Sequence, residues 1–166
     1  MRKVHLILVF TGLLLAFHCL WANPIQILIT GMPLTAINQI QPELSIAKFD
    51  DYAFKSETKM LMLARKSRNE LISYLKLKGY FQATVQVHIS QDPQSKSWNI
   101  NYQVNQGPRV TYQSVIIKLT PSTSNVSRIQ HWIDHHRPKK GNDYTSAEYE
   151  RLKQNLLSFA KSLGYF

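Results

Sequence analysis

One stretch of eleven residues occurs twice in this chain. Leu71-Ile72-Ser73-Tyr74-Leu75-Lys76-Leu77-Lys78-Gly79-Tyr80-Phe81 aligns without gaps on Leu156-Leu157-Ser158-Phe159-Ala160-Lys161-Ser162-Leu163-Gly164-Tyr165-Phe166. Six of the eleven positions are identical, at an offset of 85 residues. Each copy closes a helical stripe with Gly-Tyr-Phe, and glycine just past the last turn takes the left-handed conformation that ends a helix. Solenoid repeats recur every 20–50 residues or so, so this longer spacing points to small domains in tandem.

Around the first copy the pattern spells one complete unit. Ile25-Gln26-Ile27-Leu28-Ile29-Thr30 is short, β-branched and closed by Gly31 and Pro33, which predicts a strand. Leu34, Ile37 and Ile40 recur at helical spacing up to Pro42, giving a short helix. A longer helix follows, with Leu61, Ala64, Arg68, Leu71 and Leu75 as its stripe; Arg68 is the one charged member. After Gly79, Ala83, Val85, Val87 and Ile89 alternate with Thr84, Gln86, His88 and Ser90. That is a strand with one buried face. Asp92-Pro93-Gln94-Ser95 supplies a turn, and Trp98, Ile100, Tyr102 and Val104 alternate with Asn99, Asn101, Gln103 and Asn105 as its hairpin partner.

Around the second copy the same order restarts and stops short. Val110 to Leu119 predicts a strand, with a bulge where the alternation shifts at Ser114. Ile129, Trp132 and Ile133 mark a short helix ending before Pro138. Thr145-Ser146-Ala147-Glu148 reads as a capping box ahead of a helix whose stripe is Tyr149, Leu152, Leu156, Phe159 and Leu163. No hairpin follows, so that stripe is expected to lack half its cover.

The N-terminus has a different character. Arg2 and Lys3 precede an apolar run from Val4 to Trp21, and Ala22 stands before Asn23-Pro24. A positive start, a greasy centre and a small residue before a break predict a cleaved signal peptide over residues 1–22. Its loss would remove the one cysteine, Cys19, and lower the net charge from +10 to +8. The mature chain then has no disulfide to rely on. A retained N-terminal anchor is the rival reading. Excess positive charge admits anionic headgroups, nucleic acid or acidic proteins as partners, and export makes nucleic acid the poorest of these.

No constellation in the sequence predicts catalysis. No serine sits in a nucleophile elbow and no glycine-rich run would cradle phosphate. His131 and His135 lie four apart beside Asp134 and His136, but a zinc site needs further ligands, and a solvated polar face is the expected reading. Asp50-Asp51 is expected to be a loop pair. Catalytic residues, cofactor and metal are all predicted to be absent.

Strand-helix-helix-strand-strand, repeated after a signal peptide, resembles the POTRA (polypeptide-transport-associated) domains of the TamA/BamA outer-membrane assembly family, and most of all the N-terminal part of TamA. The resemblance rests on the two helix ends Leu77-Lys78-Gly79-Tyr80-Phe81 and Ser162-Leu163-Gly164-Tyr165-Phe166. It rests also on the junction Val104-Asn105-Gln106-Gly107-Pro108-Arg109-Val110 and on Asp143-Tyr144-Thr145-Ser146-Ala147-Glu148-Tyr149-Glu150. It implies an α+β fold: a β-α-α-β-β unit over residues 23–107, its three-stranded mixed sheet covered on one face by two helices, then an incomplete second unit over 108–166. The opening strand would lie parallel to strand 98–104, leaving 82–90 as a free edge. It further implies a non-enzymatic periplasmic scaffold that binds unfolded outer-membrane or autotransporter polypeptides and a TamB-like partner, and that is tied to the outer membrane when a barrel follows. The candidate client-binding positions are Thr84, Gln86, His88 and Ser90 on the edge strand. A membrane-anchored POTRA module of a division or secretion complex is the alternative, and a secreted binder of polyanions a third.

Overall fold

The computed structural model describes residues 25–49, 56–119 and 126–165. The expected signal peptide and the Asp50-Asp51 pair lie outside these residues. The first unit runs β1 (Ile25–Thr30), α1 (Leu34–Ile40), a single 3-10 turn, α2 (Glu57–Leu77), β2 (Thr84–Gln91) and β3 (Trp98–Asn105). Its sheet has the order β1-β3-β2. β1 runs parallel to β3 with Ile27 opposite Ile100, and β2 runs antiparallel to β3 with Val87 opposite Tyr102. The fold is α+β, with a three-stranded mixed sheet and helices packed on one face.

Strand alternation accounts for that layering. Ile25, Ile29, Val85, Ile100, Tyr102 and Val104 point to one face and are buried there against Met60, Leu63, Ala64, Leu71 and Leu75 of α2. The buried stripe differs from the expected one in its first half: Met60 and Ser67 go inward, while Leu61 and Arg68 are half-buried. Ser67 is accepted in the core because its hydroxyl receives the buried Ile46 amide at 3.0 Å. Tyr102, fully buried, donates its hydroxyl to the Ala64 carbonyl at 3.2 Å, and burial pushes its pKa up despite a hydrogen bond to Ser67. Glu70 holds the loop after the 3-10 turn by accepting from the Ser45 amide at 2.8 Å and from the Ser45 hydroxyl.

Among the described residues, the other face of the sheet carries no helix. Its outward positions are Gln26, Leu28 and Thr30 on β1, Asn99, Asn101, Gln103 and Asn105 on β3, and Thr84, Gln86, His88 and Ser90 on β2. None is an acid, a lysine or an arginine, although the chain has a formal charge of +10.

In the second half, α3 (Val126–His136) and α4 (Ser146–Ser162) form as expected. The Thr145 hydroxyl accepts the Glu148 amide at 3.1 Å, but the Glu148 carboxylate takes its bond from that hydroxyl rather than from the Thr145 amide. The strand predicted from Val110 to Leu119 does not form. Thr111 makes an isolated bridge to Asp143, and residues 112–119 are irregular. A strand is stable only against a partner, and among the described residues none lies beside 113–119. The half is tied to the first unit at the end of α2. There the Val110 amide donates to the Gly79 carbonyl at 2.9 Å and Arg109 Nε donates to the Lys78 carbonyl at 3.1 Å, while within the second half the Arg109 guanidinium pairs with Asp143 at 2.6 Å. Among the described residues, no helix is long and apolar enough to cross a membrane.

Candidate functional site

Among the described residues β2 is an edge of the sheet, and its chemistry depends on which of its backbone groups face outward. In an antiparallel ladder, opposed residues alternate between pairs that exchange both N–H···O bonds and pairs that exchange none. The hairpin turn sets the phase. The Asp92 amide donates to the Ser97 carbonyl at 2.9 Å, in the same register as the pairs Gln91–Trp98 and Ser90–Asn99. Asp92–Ser97 is therefore a bonded pair, and so in turn are Ser90–Asn99, His88–Asn101, Gln86–Gln103 and Thr84–Asn105. The backbone groups of Val85, Val87, Ile89 and Gln91 point away from β3, to the open side.

Contacts made by other elements agree with that phase. Thr30 Oγ1 donates to the Tyr102 carbonyl at 3.4 Å, so the even-numbered residues of β3 turn toward β1 and the odd ones toward β2. On the open side, Arg68 Nε of α2 donates to the Val85 carbonyl at 2.7 Å. This is why an arginine interrupts the apolar stripe: its stem crosses the rim of the core and its head reaches the sheet edge.

Thr84, Gln86, His88 and Ser90, the four residues named from the sequence, lie on this strand with exposed side chains. Their side chains stand on the uncharged outer face, but their amides and carbonyls face β3. Side-chain alternation says which residues face the solvent; it does not say which backbone groups face the open edge, and on this strand the two sets are opposite. The unpaired backbone belongs to Val87, Ile89 and Gln91, with Val85 half-claimed by Arg68. Among the described residues, no other backbone or side-chain group meets that side.

The turn that fixes the phase is itself well held. The Asp92 carboxylate accepts the Ser95 and Gln94 amides at 2.9 and 2.7 Å, and these bonds hold its pKa below the ordinary carboxylate value. Lys96 takes a left-handed φ of 57° to close the loop.

The histidines of α3 are close together but do not converge. The rings of His131 and His135 lie 4.1 Å apart, and His136 stacks on Trp132 at 4.2 Å. Nδ1 of His135 and of His136 each bonds a carbonyl one turn back, at 2.8 and 2.7 Å. Among the described residues, no group of three or more His, Cys, Asp or Glu is arranged to hold a metal ion.

No protein-family model matches the chain, and no curated protein matches it. Among solved structures it is similar to the crystal structure of Haemophilus influenzae BamA POTRA3-5, at 21% sequence identity and a TM-score of 0.40, over 81% of this chain and 48% of that one. The chain thus spans about half the length of the structure it matches.

Proposed function

We propose that this chain is a non-catalytic, periplasmic scaffold of the POTRA type, belonging to a TamA-like factor that assembles outer-membrane proteins or autotransporters. It engages unfolded polypeptides, and a TamB-like partner, by strand addition. The observation that carries the proposal is the open side of β2, where successive backbone groups at Val87, Ile89 and Gln91 have no partner among the described residues. Strand addition gains affinity from main-chain hydrogen bonds and so tolerates many client sequences. The element order and the parallel β1–β3 pairing agree with what the sequence resemblance implied.

Proline scanning of β2 tests this. Val87→Pro removes an amide from the open side and breaks no ladder bond, whereas Gln86→Pro removes a donor to Gln103. An unfolded outer-membrane barrel polypeptide, diluted from denaturant onto the full chain, is expected to perturb the amides of Val87, Ile89 and Gln91. Val87→Pro should weaken its binding about tenfold or more, the equivalent of losing one or two net hydrogen bonds, with the circular dichroism unchanged. Undiminished binding with proline placed in turn at Val87, Ile89 and Gln91 would rule out edge pairing.

A further inference from the structure

We infer that Arg68 makes the β2 edge directional: it admits a strand that adds antiparallel and ends, opposite Val87, in its own α-carboxylate. The inference rests on the function proposed above and adds the orientation and terminus of the strand received.

Arg68 Nε donates to the Val85 carbonyl at 2.7 Å, and that carbonyl faces the open side of β2. A guanidinium has five N–H donors in a planar fork, and the Nη donors have no partner among the described residues. Among the described residues no carboxylate pairs with it either. A cation with donors unpaired among the described residues thus stands at the Val85 carbonyl, the acceptor that an added strand would need for its next rung past Val87. What meets it is the backbone of the incoming strand, because side chains stand perpendicular to the sheet.

Chain direction then decides the chemistry. β2 runs from Thr84 to Gln91. A strand added antiparallel travels toward Val85 and arrives there C-terminus first; one added parallel arrives with its amino end. Past Val87 the ladder cannot extend without displacing Arg68 from the Val85 carbonyl. A strand that stops opposite Val87 has no further amide to place, and its carboxylate can accept from the Val87 amide and from the guanidinium together, a charge-assisted pair of bonds. The opposite end of the edge supplies no comparable bias. The Asp92 carboxylate there is turned into the hairpin onto Gln94 and Ser95, with Lys96 beside it.

The test uses the full chain and an acetylated octapeptide of alternating threonine and valine in three forms: free acid, C-terminal amide, and amide with glutamate as the last residue. Binding is read from backbone amide shifts of the protein. The free acid is expected to bind about tenfold more tightly than the plain amide, the worth of a charge-assisted bond. Arg68→Gln should erase that difference while leaving binding of the amide in place, and Arg68→Lys, which keeps the charge without the fork, should retain part of it. A nitroxide on the peptide's N-terminus should broaden Gln91 and spare Val85. Equal affinity for acid and amide overturns the inference and leaves edge pairing standing. So does equal affinity for acid and glutamyl amide, which would make a side chain the ligand, and so does broadening at Val85. If none of the three peptides binds, the function proposed above fails and this inference with it.

Discussion

The two Gly-Tyr-Phe helix ends are locally the same and globally opposite. At the first, the Tyr80 amide reaches the Leu75 carbonyl at 2.9 Å and the Gly79 amide the Lys76 carbonyl at 3.0 Å, with Gly79 at φ 93°. At the second, Tyr165 reaches Ala160 at 3.1 Å and Gly164 reaches Lys161 at 2.9 Å, with Gly164 at φ 88°. Both are the paired-bond cap of a helix ended by glycine. Yet α2 buries six residues, Leu71 among them, and α4 buries none. The cap is written in the eleven residues themselves. Burial is supplied by a sheet, and among the described residues only α2 has one against it. In the second half the buried apolar residues are Ile129 and Ile133 of α3, and the contact of α3 with α4 includes Trp132 stacked on Phe159 at 5.7 Å.

The largest effect that tests this contrast comes from the aligned leucines. Leu71→Ala removes a side chain with 0% exposure, and such losses cost about 2–5 kcal/mol. Leu156, at the equivalent position, is half-buried, and Leu156→Ala should cost about 1 kcal/mol or less by the area it covers. Denaturant unfolding of the two variants measures the difference; equal losses would mean that α4 packs as tightly as α2.

The glycines provide a smaller and sharper comparison. Alanine at either position meets the left-handed penalty of about 1–2 kcal/mol. At Gly79 the new methyl would also run into the Tyr144 carbonyl oxygen, well inside contact distance, whereas at Gly164 nothing lies in reach. Gly79→Ala should therefore destabilise more than Gly164→Ala, and in amide spectra it alone should disturb Val110 and Tyr144. Identical spectra at the junction would show that the two halves do not dock as described.

The smallest effect is a pH dependence confined to the first unit. Burial tends to raise the Glu70 carboxyl, but its bonds from the Ser45 hydroxyl and amide outweigh this and hold it below 4.5, its ordinary value. A carboxylate with a depressed folded pKa stabilises the fold above the unfolded value, and that stability is lost as pH falls through the folded one. The Ser45 and Ile46 amides should shift on acidification below about pH 4.5, and Glu70→Gln should flatten that limb. A shift starting at neutral pH would point to another group.

Most of the first unit was legible because each element carried a period: two in β2 and β3, three-to-four in α2, with Gly79 and Asp92 as punctuation. Ser67 and Arg68 were misplaced or unexplained because their positions answer to distant groups, the Ile46 amide and the Val85 carbonyl, which no local pattern contains. Residues 110–119 had alternation but no partner, so a strand-like sequence stayed irregular. The candidate site was legible as a strand and not as a set of bonds. The outward backbone groups follow from the turn's register, and that register appears only once Asp92 and Ser97 are seen opposite one another.

The uncharged outer face of the sheet has a consequence for how binding responds to salt. Ions crowd around the exposed basic groups elsewhere, such as Arg65 and Lys66 on α2 and Arg137, Lys139 and Lys140 between α3 and α4. A polyanion settling there would release them, and its affinity would fall steeply as salt rises. A strand laid along β2 displaces water from amides and hydroxyls and meets one cation, Arg68, so its affinity should be nearly flat across the same range. Ionic strength thus separates occupancy of the sheet edge from adsorption to the basic surface, in a single titration and with no substitution made.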